Sequence, residues 1–465
     1  MLFCTAAAPS ERGGRTHATE QPYTGQRSQT LFRFACPFLV ANVLQSLYGA
    51  ADLFVVGAFC GAQSVAAVST GTQVTQIVTS LVTGLTLGST VIIGQYTGQG
   101  EYGKVKRAIG TTLTVFACVA LALTAGMLAV LRPLLRLLQT PQPAFELAVQ
   151  YVTVCMLGNL FICGYNAISA VLRGWGDSRR PMWFVGIACA INIVLDVVFV
   201  RFLGLDVAGT ALATVISQGV SMALAVVYLR RHHFLFDFRL PSFLPDKHML
   251  KKLAVVGIPI SFQELMVRIS FLYLAAVMNR CGVYAASVVG ISSKYDVFAM
   301  LSATSMASAL AAITAQNMGA GQPQRARRSL WYGLGFALAV SAGFWLWAQL
   351  SPQSMIGLFS RDAGVIAAGV PFFRACSYDY MLVSVVFCLN GYLNGRQKTV
   401  WTMVSCSAGA LCLRMPLVSL FGTYFSDDLG MLGMVAPIVS GIMAGYTLVY
   451  VLAEGRMARA RNAAH

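Results

Sequence analysis

Asn192 and Asp196 are polar residues in a stretch that is otherwise apolar from about residue 182 to residue 203. They are four positions apart, so on a helix their side chains stand one above the other on a single face. A carboxylate in the middle of a membrane-length apolar helix costs several kcal/mol unless it faces a polar cavity or a partner. We therefore interpret this helix face as part of a binding site.

Asp52 and Thr214 are predicted to reach the same depth as this pair. Asp196 lies roughly 22 Å into its span at a rise of about 1.5 Å per residue. Thr214 lies beyond the turn that follows, and it returns to a similar depth on the next span. Asp52 lies about 18 residues into the first span, in the same half of the membrane. We expect the four side chains to converge on one pocket.

Such a pocket offers two carboxylates, an amide oxygen and a hydroxyl. Oxygen ligands of this kind suit a hard monovalent cation such as Na⁺. Paired carboxylates in a low-dielectric site suit a proton equally well, because desolvation and the neighbouring like charge both favour neutralising one of them. Residue types leave H⁺ and Na⁺ open. A purely structural alternative is that these groups only hydrogen-bond neighbouring helices.

The composition is that of a membrane protein, since 57% of the 465 residues are hydrophobic and 11% are charged. A soluble domain carries roughly twice that charged fraction. Twelve apolar segments are each long enough, at about 20 residues, to cross the hydrocarbon core as a helix. They run over residues 34–57, 66–93, 108–131, 147–171, 182–203, 209–229, 254–278, 284–312, 329–350, 370–393, 400–421 and 430–453. The sequence predicts an all-α polytopic protein with about twelve transmembrane helices.

The basic residues give the orientation of these spans. Of the 33 Lys and Arg residues, 24 fall in segments on the same side as the N-terminus, five on the opposite side and four within spans. This distribution follows the positive-inside rule if both termini are cytoplasmic. It also explains the net charge of +16 without a nucleic-acid partner.

The residues that usually mark an enzyme are missing from the spans. All five histidines fall in predicted loops or termini, and no HExxH, P-loop or GxSxG motif is present. Most of the 12 cysteines lie inside apolar segments without metal-binding spacing, which is typical of packing residues. We predict no catalytic residues, no metal beyond a possible Na⁺ in the pocket, and no cofactor other than a coupling ion.

The chain repeats itself. Residues 95–98 (QYTG) match residues 316–319 (QNMG) at an offset of 221, which also relates Arg107 to Arg328, and Pro37 and Pro259 are 222 apart. A nearly constant offset over several spans predicts two six-helix halves in parallel orientation. The predicted segments are a disordered tail (1–30), an N-terminal lobe (31–229), a basic linker (230–253), a C-terminal lobe (254–453) and a second tail (454–465).

Several motifs together resemble the multidrug and toxic compound extrusion (MATE) transporters. They are Pro37 with residues 48–57 (YGAADLFVVG), residues 94–98 (GQYTG), residues 172–177 (LRGWGD), the Asn192–Asp196 pair, and residues 414–416 (RMP). The resemblance implies two six-helix bundles in a V that work by alternating access. In bacterial and archaeal members an Asp, Asn, Asp and Thr site is implicated in cation or proton coupling. Those positions match Asp52, Asn192, Asp196 and Thr214.

The C-terminal half lacks a copy of the carboxylate pair, because Tyr273 and Leu417 stand at the offset of 221 from Asp52 and Asp196. It has other charged residues within its spans: Glu264, Arg268, Lys294, Asp296 and Arg414. We expect Glu264 with Arg268, and Lys294 with Asp296, to form a mutually neutralising network that joins spans 7 and 8. Substrate contact or a second coupling site is the alternative. Arg374 and Asp379 are predicted to lie near the membrane interface.

The predicted function is a secondary active antiporter of the bacterial efflux branch, which exports amphipathic or cationic organic compounds in exchange for H⁺ or Na⁺. The alternative within the same superfamily is a lipid-linked oligosaccharide flippase. The predicted partners are the lipid bilayer and small organic substrates, and we expect a monomer in the plasma (inner) membrane.

Overall fold

The computed structural model describes residues 27–231, 234–425 and 428–463, which form helices and short connections with no strand among them. Six spans make up the first half. They are α1 (Arg27–Phe59), α2 (Ala62–Gln99), α3 (Tyr102–Leu137), α4 (Gln142–Leu157 and Asn159–Trp175), α5 (Arg179–Asp196, continued by a π-helical turn over Val197–Phe202) and α6 (Asp206–Arg231). The two parts of α4 meet at an angle of 46°.

The second half follows the same order. It contains α7 (Lys247–Arg280), α8 (Val283–Gly319), α9 (Pro323–Leu350), α10 (Ala363–Cys376 and Tyr378–Gly395), α11 (Thr399–Ala408, a π-helical turn over Gly409–Arg414, and Met415–Tyr424) and α12 (Leu429–Gly433 and Val435–Ala463). Eleven helices of the described chain are long and apolar enough to cross a membrane, or twelve with the bent α4. The predicted all-α architecture with about twelve spans is confirmed.

Helix ends differ from the prediction where capping overrides hydrophobicity. Asp246 accepts hydrogen bonds from the backbone N–H groups of His248 (2.8 Å) and Met249 (3.0 Å), so α7 begins inside the segment predicted as linker. These bonds, with that from Met249 strongest, hold the pKa of Asp246 below its usual value. At the termini, α1 begins at Arg27 and α12 reaches Ala463, inside the predicted tails. Residues 1–26 lie outside the described residues.

The connection before α7 is packed against α3. The Phe236 side chain is buried, with its ring 5.1 Å from the Phe243 ring. The hydroxyl of Thr114 donates to the carbonyl of Phe243 (2.5 Å), and the hydroxyl of Thr111 accepts from the N–H of Asp246 (3.1 Å). The described part of the linker is therefore attached to the N-terminal lobe up to the first turn of α7.

The two lobes meet along α2, α7 and α8, where small residues allow the backbones to approach closely. A Cβ atom built on Gly84 would lie 2.2 Å from the backbone nitrogen of Ser261, and one on Gly88 would lie 2.7 Å from the Cα of Gly257. The hydroxyl of Ser261 also donates to the Leu81 carbonyl (2.7 Å). These contacts exclude larger side chains from this part of the lobe interface.

The repeated QxxG motif forms a symmetric contact at one end of this interface. A Cβ atom on Gly98 would lie 2.1 Å from the carbonyl oxygen of Gln316, and a Cβ on Gly319 would lie 2.1 Å from that of Gln95. The side chain of Gln316 donates to the carbonyl of Gly174 (2.8 Å). The sequence repeat thus becomes a reciprocal contact that holds the two lobes together at the end predicted to be cytoplasmic.

We predict that Gly98→Ala destabilises the protein although alanine is the better helix former. Placing a methyl group against a backbone carbonyl is overpacking, which typically costs about 1–3 kcal/mol. Gly126→Ala is the matched control, because nothing lies within 4 Å of a Cβ there. The melting temperature in detergent should fall for Gly98→Ala and hold or rise for Gly126→Ala. Equal melting temperatures for the two variants would contradict the close approach.

Candidate functional site

Asp52, Asn192, Asp196 and Thr214 come together inside the N-terminal lobe, between α1, α5 and α6. Asn192 and Asp196 are fully buried and Asp52 is 5% exposed. The hydroxyl of Thr214 donates to Asp52 Oδ2 (3.3 Å). Asn192 and Asp196 lie within electrostatic reach of the same carboxylate. The convergence expected from helix depth is present in the structure.

Most polar atoms of this site have no hydrogen-bond partner among the described residues. They are Asp52 Oδ1, both carboxylate oxygens of Asp196, and both the oxygen and the nitrogen of the Asn192 amide. Buried polar groups are normally paired, because an unpaired group costs about 1–3 kcal/mol. The arrangement therefore leaves oxygen ligands free for a small cation or a proton.

Tyr48 completes the wall of the site and was not identified from the sequence as a site residue. Its hydroxyl donates to the carbonyl of Thr214 (3.1 Å) and lies 2.8 Å from the hydroxyl of Ser217. Tyr48 precedes Asp52 by four positions on α1, which places both on one helix face. That spacing is the signal that could have revealed it.

The helical winding of the backbone changes directly after Asp196. The α-helical part of α5 ends at this residue, and the π-helical turn over Val197–Phe202 follows. Such turns insert an extra residue into a helix and are frequent at functional sites. Asp196 therefore lies where α5 changes its winding, next to the Asp52 carboxylate on α1.

The charged residues of the C-terminal lobe are distributed differently from the prediction. Lys294 is exposed, whereas Asp296 lines an internal cavity, because side chains two positions apart on a helix do not share a face. Arg268 donates to Gln76 Oε1 on α2 (2.7 Å), so it joins the two lobes, although it remains within electrostatic reach of Glu264. The prediction that Lys294 neutralises Asp296 is therefore wrong.

The position of Asp379 also differs from the prediction. This residue is 5% exposed and lines the same cavity as Asp296 and Arg414, instead of lying at the membrane interface. The cause is the start of α10, which begins at Ala363 and not near residue 370, so Asp379 lies deeper in the span. The C-terminal lobe therefore contains a second cluster of buried charges.

Two regions of the chain, residues 37–198 and 259–420, match the model of the MatE family. The chain belongs to the MatE family. The two matches have the same length and are related by a single offset at their starts and at their ends, which confirms the internal repeat. Because this is a family of transporters, the chain is a multi-pass membrane transporter, in agreement with the predicted absence of enzymatic activity.

Similar proteins extend over nearly the whole chain. The probable multidrug resistance protein YpnP of Bacillus subtilis is 26% identical over 87% of this chain and 90% of its own length. An FAD transporter of Shewanella oneidensis is 24% identical over 89% of this chain and 92% of its own. A solved MATE-family transporter of the MOP superfamily, in an outward-facing conformation, superimposes with a TM-score of 0.87 at 22% identity over 96% of this chain and 98% of its own.

We predict that Asp196→Asn raises the melting temperature at pH 8 in buffer without Na⁺. Replacing buried charges by neutral groups of similar volume is often neutral or stabilising by about 1–4 kcal/mol, and here it removes a repelling neighbour of Asp52. Asp362→Asn is the control, because this residue caps the first part of α10 from an exposed position. Asp362→Asn should leave the melting temperature nearly unchanged, because asparagine caps a helix about as well as aspartate. A melting temperature of Asp196→Asn at or below that of the control would argue against a repelling carboxylate pair.

Proposed function

We propose that this transporter is a secondary active antiporter that exports amphipathic or cationic organic compounds in exchange for H⁺ or Na⁺. The observation that carries the proposal is the buried Asp52–Asp196 pair, whose oxygens are largely unpaired in the described chain. A site of this charge is neutralised when a cation or proton binds. The multidrug resistance name of YpnP supports the substrate class.

The coupling requires that ion and substrate prefer different states of the protein. Helix α1 is suited to this role because it carries Asp52 and also contacts the other lobe. Asn42 Nδ2 on α1 donates to the hydroxyl of Ser305 on α8 (2.8 Å), and Phe34 and Phe38 pack in a core shared with α8. Pro37 lacks the N–H that would complete the helix, so α1 bends more readily at this level. Ion binding at Asp52 is thereby transmitted to the lobe interface.

We further propose that the protein is a monomer in the plasma (inner) membrane with both termini cytoplasmic. The excess of Lys and Arg on one side supports this orientation. The reciprocal QxxG contact then closes the lobes on the cytoplasmic side. Substrate would leave through the opposite side, after the coupling ion has entered there.

The flippase alternative is less well supported. A carrier of lipid-linked oligosaccharides needs cationic side chains in its central cavity to bind phosphate groups. The buried site of the N-terminal lobe contains carboxylates, and Arg268 is engaged with Gln76 at the lobe interface. Neither feature favours an anionic cargo.

The deciding experiment is ethidium or norfloxacin transport in proteoliposomes, with Na⁺ and pH gradients imposed separately. We expect one gradient to drive transport by the parent protein, and Asp196→Asn to abolish it, because the remaining carboxylate no longer forms a paired site. Asp362→Asn serves as the control that retains transport. Unchanged gradient-driven transport by folded Asp196→Asn would refute the coupling role.

The same experiment separates the two cargo classes. Transport of neither compound under either gradient, by folded parent protein, would favour the flippase. Lipid-linked oligosaccharide would then be the next substrate to assay in the same vesicles.

A further inference from the structure

The cavity in the C-terminal lobe is a small space of about 40 Å³ between α7, α8, α10, α11 and α12. Its volume is enough for a few water molecules or a small ion. Its charged lining residues are Asp296, Asp379 and Arg414. It lies entirely within the C-terminal lobe, so it is separate from the site formed by α1, α5 and α6.

The internal repeat relates this cavity to the site of the N-terminal lobe. The family matches start at residues 37 and 259 and end at residues 198 and 420, which sets the register at an offset of 222. In that register Asp52, Asn192, Asp196 and Thr214 correspond to Leu274, Arg414, Val418 and Ala436. All four of these residues line the cavity. The cavity is therefore the symmetry counterpart of the N-terminal site, with every oxygen ligand replaced.

The carboxylates of the cavity come from other helices. Asp296 lies on α8 and Asp379 on α10, and both attract the Arg414 guanidinium. Asp379 Oδ1 and Arg414 Nε have no hydrogen-bond partner within the part of the chain that the structure describes. The side chains of Asp379 and Arg414 are more than nine-tenths buried. Two carboxylates and one guanidinium thus line the same cavity without forming a direct ion pair among the described residues.

The guanidinium of Arg414 is fixed in this position. Its Nη1 donates to the hydroxyl of Ser270 (3.1 Å), and its Cζ lies 4.4 Å from the centre of the Phe271 ring. Arg414 is also the last residue of the π-helical turn of α11. An arginine side chain keeps its charge in proteins, so this cation neither dissociates nor loses its proton.

We propose that Arg414 is a tethered counter-ion, which supplies in the C-terminal lobe the positive charge that the exchanged cation supplies in the N-terminal lobe. The guanidinium stands at the position equivalent to Asn192 and compensates one carboxylate of its cavity. The protein therefore has one exchangeable cation site of this kind instead of two. Arg414 sets the number of ions that the carrier takes up. This inference rests on the proposed coupling role of the Asp52–Asp196 site.

The test counts the cations bound per purified protein molecule in detergent at pH 8. Bound ²²Na⁺ is measured by equilibrium binding, and protonated buried carboxyl groups are counted by infrared spectroscopy, so that either cation is detected. Arg414→Gln should bind one cation more than the parent. Arg414→Lys should match the parent, because it keeps the charge. An unchanged count for folded Arg414→Gln would overturn the proposal.

A second pair of variants separates this inference from the coupling role. Asp196→Asn alone should lose one cation, and Asp196→Asn/Arg414→Gln should regain one in the C-terminal lobe. If Asp196→Asn leaves the count unchanged, the coupling role fails. If Asp196→Asn loses its cation but Arg414→Gln adds none in either background, only the tethered counter-ion fails.

Arg414→Gln could also fail to fold, since it leaves two buried carboxylates uncompensated. Arg414→Gln/Asp379→Asn then decides, because it restores the net charge of the cavity. Recovery of folding with the parent's cation count would support a counter-ion. Continued failure to fold would show that Arg414 is needed for packing and would overturn the proposal.

Discussion

Two carboxylates that share a buried site without a fixed cation can be neutralised only by a charge that arrives from solution. Asp52 and Asp196 are in that situation, with Asn192 and Thr214 as neutral companions. The repulsion between two such carboxylates grows as their surroundings lose water. α1 carries one carboxylate inside the N-terminal lobe and contacts the other lobe nearer its start, and α5 changes its winding beside the second carboxylate.

The lobe interface depends on glycine residues, which have no side chain. Gly84, Gly88, Gly98 and Gly319 permit backbone contacts that no larger residue could make. Contacts of this kind are broken or made as a whole, because a packed surface does not deform gradually. Under the proposed antiport, a change of charge at the polar site and a lobe interface with few intermediate positions would favour two well-separated states, as alternating access requires.

Much of this architecture was predictable from the sequence, because a membrane protein must satisfy its backbone within helices and expose apolar residues to lipid. Asp52, Asn192, Asp196 and Thr214 follow from depth alone. The C-terminal cluster was not predictable in the same way, because the repeat register is not constant. The offset between the two halves is 221 residues for the QxxG motif but 222 residues at both ends of the family matches. The π-helical turn of α11, Gly409–Arg414, lies just before the C-terminal end of the second match. The offset of 221 therefore points to Tyr273 and Leu417, one position away from the residues that line the cavity. The spacing of 222 between Pro37 and Pro259 is a sign of the shift, but a single pair of prolines does not show where along the chain the register changes.

The packed linker restricts how the lobes can move. Because Phe236, Phe243 and Asp246 are attached to α3, no slack chain separates the described part of the linker from α7. The start of the second lobe is consequently anchored directly to the first, since the same residue, Asp246, binds Thr111 of α3 and caps the first turn of α7.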